Sequence, residues 1–83
     1  MDQLARTSKQ IGAAIARKRK LLDLTQAELA AQVGLRQEAI SKIEAGNEAT
    51  RLSKILDVMA ALDLELTIGA RGKGGLTDIE DIF

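Results

Sequence analysis

The segment TQAELAAQVGLRQEAISKIEAG, residues 25–46, reads as two short helices joined by a tight turn. Thr25 and Glu28 stand at the spacing of a capping box, so a helix is expected to begin at Gln26. Leu29, Ala30 and Val33 recur at helical spacing and mark its inner side. Gly34 stops it, because glycine accepts the left-handed conformation that many helix ends require. A second helix is expected from Arg36 or Gln37 to Gly46, with Ile40 and Ile43 facing inward. Gln37, Glu38, Ser41 and Lys42 then point outward, and each carries groups able to hydrogen-bond base edges.

A short helix, a turn with one glycine and another short helix form a helix-turn-helix unit. The segment resembles the phage-repressor (Cro/CI, also called XRE) helix-turn-helix family, whose pattern is T-Q-x-x-L-A-x-x-V-G followed by Q-x-x-I-S-x-x-E-x-G. Thr25, Gln26, Leu29, Ala30, Val33, Gly34, Gln37, Ile40, Ser41, Glu44 and Gly46 match it in register. Arg36 stands where the family often has Ser or Thr, which leaves the N-cap of the second motif helix open and sets a cation beside the DNA. The resemblance implies an all-α, compact four- to five-helix lambda-repressor-like domain over residues 1–70. One C-terminal β-strand is expected to pair across a homodimer, and residues 71–83 are expected to form a flexible tail.

Composition narrows the chemistry. The chain has 83 residues, enough for one small domain. Phe83 is the only aromatic residue, so Ala, Leu and Ile must build the core. Cysteine and histidine are both absent, which removes disulfides, thiolate metal sites and the usual general base. No enzyme activity, metal or cofactor is expected. No apolar run approaches a membrane span and no signal peptide is visible, so a cytoplasmic location is expected. The net charge is zero. Its distribution is not even: residues 1–51 hold nine Lys or Arg against six Asp or Glu, and residues 52–83 hold three against six. A basic half suited to phosphate is joined to an acidic half that is not.

Upstream of the motif, Thr7 and Gln10 form another capping-box pattern, which predicts a first helix from about Ser8 to Leu22. Ile11, Ile15 and Leu22 share one face. Arg19 falls on that face too, and Glu44 lies four residues after Ile40 on the inner side of its own helix. Two opposite charges facing one core point to an ion pair, since burying either alone is costly. The alternative is that Arg19 extends to solvent. Phage-repressor domains pair an arginine and a glutamate at these motif positions. Arg17, Lys18 and Lys20 flank Arg19; a solvated face suits Arg17, and Lys18 is a candidate phosphate contact.

Downstream, Leu52, Ile55, Leu56, Met59 and Leu62 form an amphipathic stripe expected to be core. The period then changes. Leu64, Leu66 and Ile68 alternate with Glu65 and Thr67, which is strand spacing. A lone strand leaves its backbone donors and acceptors unpaired. The same strand from a second copy would satisfy them as an antiparallel ribbon across a twofold axis; the alternative is an edge segment packed on its own domain. Gly69 to Gly75 read as a linker. Leu76, Ile79, Ile82 and Phe83 are apolar among acidic neighbours and form a candidate partner-docking segment, the alternative being a frayed terminus.

These readings converge on recognition of double-stranded DNA. Arg36, Gln37, Glu38, Ala39, Ser41 and Lys42 are the candidate base contacts; Gln26, Arg51 and Lys18 are the candidate phosphate contacts. Gln37 suits adenine, Glu38 suits cytosine N4 unless it pairs with Lys42 along the helix, and Ala39 suits a thymine methyl. The resembled family uses the glutamine matching Gln26 to clamp phosphate, and its loop matching Arg51 touches the DNA backbone. A twofold dimer implies a palindromic operator. The stretch SKILDVMAALDLELTI is further similar to the last helix and strand of HipB-type antitoxins. That resemblance implies a HipA-type Ser/Thr kinase toxin as partner and repression of the protein's own operon. A stand-alone repressor and a pure protein-interaction module are the competing readings.

Overall fold

The structure is a computed structural model that describes residues 4–71. The described residues form four helices: α1 (Ser8–Leu21), α2 (Gln26–Val33), α3 (Gln37–Glu44) and α4 (Leu52–Ala61). The starts of α1 and α2 and the end of α2 have local causes. Thr7 is extended, and its hydroxyl accepts from the Gln10 N–H at 3.1 Å, starting α1. The reciprocal half of that box is missing, because the Gln10 side chain accepts from the Arg6 N–H instead of from Thr7. Lys18, Arg19 and Lys20 place positive charge in the last turn, where the helix dipole favours it.

The cap of α2 is complete in both directions. Thr25 accepts from the Glu28 N–H at 3.0 Å, and the Glu28 carboxylate accepts from the Thr25 N–H at 2.8 Å. The helix ends at Gly34, whose φ of 69° is the left-handed conformation expected of it. The α3 helix has no side-chain cap at Arg36, and it stops at Glu44 with Ala45 as its C-cap, slightly before Gly46.

Ile15, Leu29, Ala30, Ile40, Ile43, Val58, Met59 and Leu62 form the core, with Ile11, Leu24, Val33, Leu35, Ile55 and Leu64 packed around it. The α3 helix lies against both α1 and α2, and α2 also packs on α4. The crossing of α1 over the end of α3 is tight. A methyl group at Gly12 would stand 2.3 Å from the Ile43 carbonyl oxygen, and one at Gly46 would stand 2.6 Å from the Lys9 Cα. These two glycines let the backbones touch, which seats α3 firmly between its neighbours.

Three apolar expectations change. Leu22 lies beyond the last turn of α1 and is 46% exposed, not part of its inner face. Leu52 and Leu56 are likewise exposed, whereas Val58 is fully buried. The inner face of α4 is therefore Ile55, Val58, Met59 and Leu62, the same helical period with Val58 in place of Leu52 and Leu56. Packing on α2 selects which side of a broadly apolar helix is covered.

Residues 64–70 leave the helical body in neither helix nor strand within the single chain. Leu64 turns back onto the core, its N–H donating to the Met59 carbonyl at 2.8 Å. Leu66 and Ile68 project outward, Ile68 being 86% exposed. The tail residues Leu76, Ile79, Ile82 and Phe83 lie outside the described residues. Among the described residues no helix is long and apolar enough to cross a membrane.

Candidate nucleic-acid interface

The second motif helix, α3, is divided cleanly. Ile40 and Ile43 are buried, while Gln37, Glu38, Ser41 and Lys42 are exposed and Ala39 is half-buried. The sequence period alone places the polar set on the outer side. Rigidity comes from the inner side, where apolar packing is reinforced by a buried charge pair.

Arg19 Nε donates to Glu44 Oε2 at 2.6 Å, and its Nη2 donates to Glu44 Oε1 at 3.1 Å. The two side chains are only 11% and 8% exposed. The remaining guanidinium nitrogen, Nη1, donates to the Leu24 carbonyl at 2.7 Å. One arginine thus ties α1 to the end of α3 and to the loop before α2, using the two-pronged geometry that lysine lacks. Burial pushes the Glu44 carboxyl up, but hydrogen bonds from Arg19 and Gln26, with the charges of Arg19 and Lys20, outweigh it and hold it below its ordinary value. The Glu44 hydrogen bond raises Arg19 further, against the opposing effect of burial. Both groups remain charged near neutrality.

The pair is extended by two glutamines. Gln26 Nε2 donates to Glu44 Oε1 at 3.0 Å, and Gln26 Oε1 accepts from Gln37 Nε2 at 2.9 Å. An unbroken chain of hydrogen bonds runs from the buried Arg19 to the exposed Gln37. No buried side-chain nitrogen or oxygen among the described residues lacks a partner. The sequence pattern pairs Arg19 with Glu44 but leaves Gln26 and Gln37 as separate contacts; their meeting depends on how the turn after Gly34 folds α3 back beside the start of α2.

Beside α3 an open groove of about 450 Å³ is lined by Arg36, Glu38, Ala39 and Lys42 together with Thr50 and Lys54. Thr50 and Lys54 are additions to the set expected from the sequence. Lys54 sits on the first turn of α4, adjacent in sequence to the helix's apolar residues but turned away from them, and that polar phase is the signal that points to it. Ser41 is exposed on α3 outside the groove lining, and Lys18 and Arg51 also lie outside it. Lys18 is half-buried; Arg51 is exposed at the N-cap of α4, where its side chain makes no capping bond. No cluster of acidic residues among the described residues is arranged to hold a metal.

Solved structures resemble the chain over most of its length. A complex of a HipB variant with an O2 20mer is 28% identical, with a TM-score of 0.80, covering 87% of this chain and 100% of the other. A HipA–HipB–O2–O3 complex is 27% identical, with a TM-score of 0.78, covering 86% of this chain and 100% of the other. A HipB–O4 20mer complex has the same identity and coverage at a TM-score of 0.79. No curated protein sequence matches the chain. The family model for Helix-turn-helix matches residues 15–68, a span that holds the whole core and both glutamines of the polar chain. By that match, and by the four-helix arrangement that seats α3 against α1 and α2, the protein belongs to the helix-turn-helix family.

Proposed function

We propose that the protein is a dimeric, sequence-specific DNA-binding repressor that serves as antitoxin to a HipA-type Ser/Thr kinase and represses its own operon in the cytoplasm. The observation that carries the DNA reading is the exposed polar face of α3 on a helix whose inner side is fixed by Ile40, Ile43 and the Arg19–Glu44 pair. A rigid short helix with outward Gln37, Ser41 and Lys42 suits insertion in a major groove. Arg36, Glu38 and Ala39 complete the base-contacting set. Gln26 keeps one amide hydrogen for a phosphate oxygen after donating the other to Glu44. Arg51 and Lys18 supply further phosphate contacts, which orient the domain without choosing sequence.

The exposed Leu66 and Ile68 support the dimer, since an alternating segment that forms no ladder among the described residues gains those bonds from a second copy. The twofold axis then spaces two α3 helices for palindromic half-sites about one helical turn, ~10 base pairs, or a multiple apart. Similarity to HipB, in complexes with 20mers and with HipA, supports the antitoxin assignment.

Three measurements test this. The duplex upstream of the gene should be shifted by the native protein, and Gln37→Ala should cost ~1–3 kcal/mol and relax choice at one base position. Equal loss on operator and random DNA would remove base reading by Gln37. Sedimentation at micromolar concentration should report a dimer. Co-expression with the neighbouring gene, with and without residues 76–83, should co-purify a kinase; purification of the repressor alone from both would favour a stand-alone regulator.

A further inference from the structure

We propose that Glu44 is a positioning residue for base choice: through Gln26 it fixes which end of the Gln37 amide is offered to DNA. This rests on the reading that Gln37 faces a base. The argument is one of donors and acceptors. A glutamine amide has an accepting oxygen and a donating nitrogen, and either can face a neighbour. An ionised carboxylate only accepts. Glu44 Oε1 therefore requires the nitrogen end of Gln26, which lies 3.0 Å away. The oxygen end of Gln26 is thereby turned toward Gln37, which must answer with its own nitrogen, at 2.9 Å.

What remains free on Gln37 is an oxygen and one N–H, in a fixed order along the helix. Adenine offers its N6 donor and N7 acceptor in an equally fixed order. Reversing the Gln26 amide would make Gln37 turn over, exchanging acceptor and donor against the base edge. The carboxylate is itself held in plane by the two prongs of Arg19, and Arg19 is anchored on the Leu24 carbonyl. A buried charge thus sets the polarity of an exposed side chain two hydrogen bonds away. The lowered carboxyl of Glu44 agrees with an acceptor-only group at neutral pH.

The test uses full-length protein and duplexes selected by it from a random pool, each base pair then changed in turn. Gln37→Ala locates the position that Gln37 reads. Glu44→Gln keeps the shape but can present either atom to Gln26. It should lower discrimination at that position by about tenfold, beyond any loss common to selected and random duplex. Arg19→Lys loosens the same ion pair yet leaves a carboxylate facing Gln26, and should lose thermal stability while keeping the base choice. The proposal is overturned if Glu44→Gln discriminates as well as the native chain, or if Arg19→Lys loses discrimination equally. If Gln37→Ala alters choice nowhere, the base-reading role and this inference fall together; if it does and Glu44→Gln does not, only this inference falls. Should Glu44→Gln not fold, isotope-labelled native protein decides: a scalar coupling between the Gln26 side-chain amide and the Glu44 carboxyl carbon is expected, and its absence overturns the assignment.

Discussion

The two motif helices have the same length and opposite means of support. The α2 helix carries its own instructions: a reciprocal capping box at Thr25 and Glu28, and a left-handed glycine at its end. The α3 helix has no side-chain cap and ends on an ordinary residue, Ala45. It is held from outside, by buried Ile40 and Ile43, by the Arg19–Glu44 pair and by the close backbone approach at Gly12. Eight residues are too few for an isolated helix, so both depend on packing, α3 more so. The difference has a functional reading. A helix stabilised from its inner face leaves its outer face and N-terminal end free for side chains that do no capping, such as Arg36.

That contrast can be broken at its strongest point first. Replacing Glu44 with Ala leaves the Arg19 guanidinium buried without its partner and should cost about 3–5 kcal/mol in thermal or urea unfolding. A loss below about 1 kcal/mol would mean that α3 is not held by the pair.

Acid probes the same contact without mutation. The folded-state carboxyl of Glu44 lies below its ordinary value of about 4.5, so its contribution is present above that value and is lost as the pH falls through the lower folded value. Native stability should therefore decline below about pH 4.5 more steeply than that of Glu44→Gln, which lacks the titrating group.

Substituting Thr25 with Ala removes the local support of α2 and should cost about 1 kcal/mol, a smaller loss than at Glu44. A larger loss there would reverse the ranking of the two helices. The smallest effect has the opposite sign. Arg36→Ser gives α3 the cap it lacks and should stabilise the fold by up to about 1 kcal/mol, while DNA affinity falls. Unchanged affinity would show that Arg36 does not contact nucleic acid.

The α4 helix shows why burial is harder to read than helix type. Residues 52–62 are apolar over a wide arc, and stripes through Leu52 and Leu56 or through Val58 fit one period equally. Tertiary contact, chiefly with α2, distinguishes them, and it buries Val58 while leaving Leu52 exposed. Similarly, Leu64 packs on its own core and Leu66 and Ile68 do not, a division that alternation alone does not express.

Determined by the sequence alone were the helix ends at Thr7, Thr25 and Gly34, the inner and outer sides of α3, and two charges without a solvent-facing place. All of these are local: caps act across three residues, and helical period needs one turn. Tertiary structure alone decided that Glu44, Gln26 and Gln37 join in one chain of hydrogen bonds and that Thr50 and Lys54 border the same groove as Arg36 and Lys42. Those residues are brought together by the angle of the turn after Gly34 and the tight seat at Gly12, which depend on close packing of distant surfaces and leave no periodic trace in the chain.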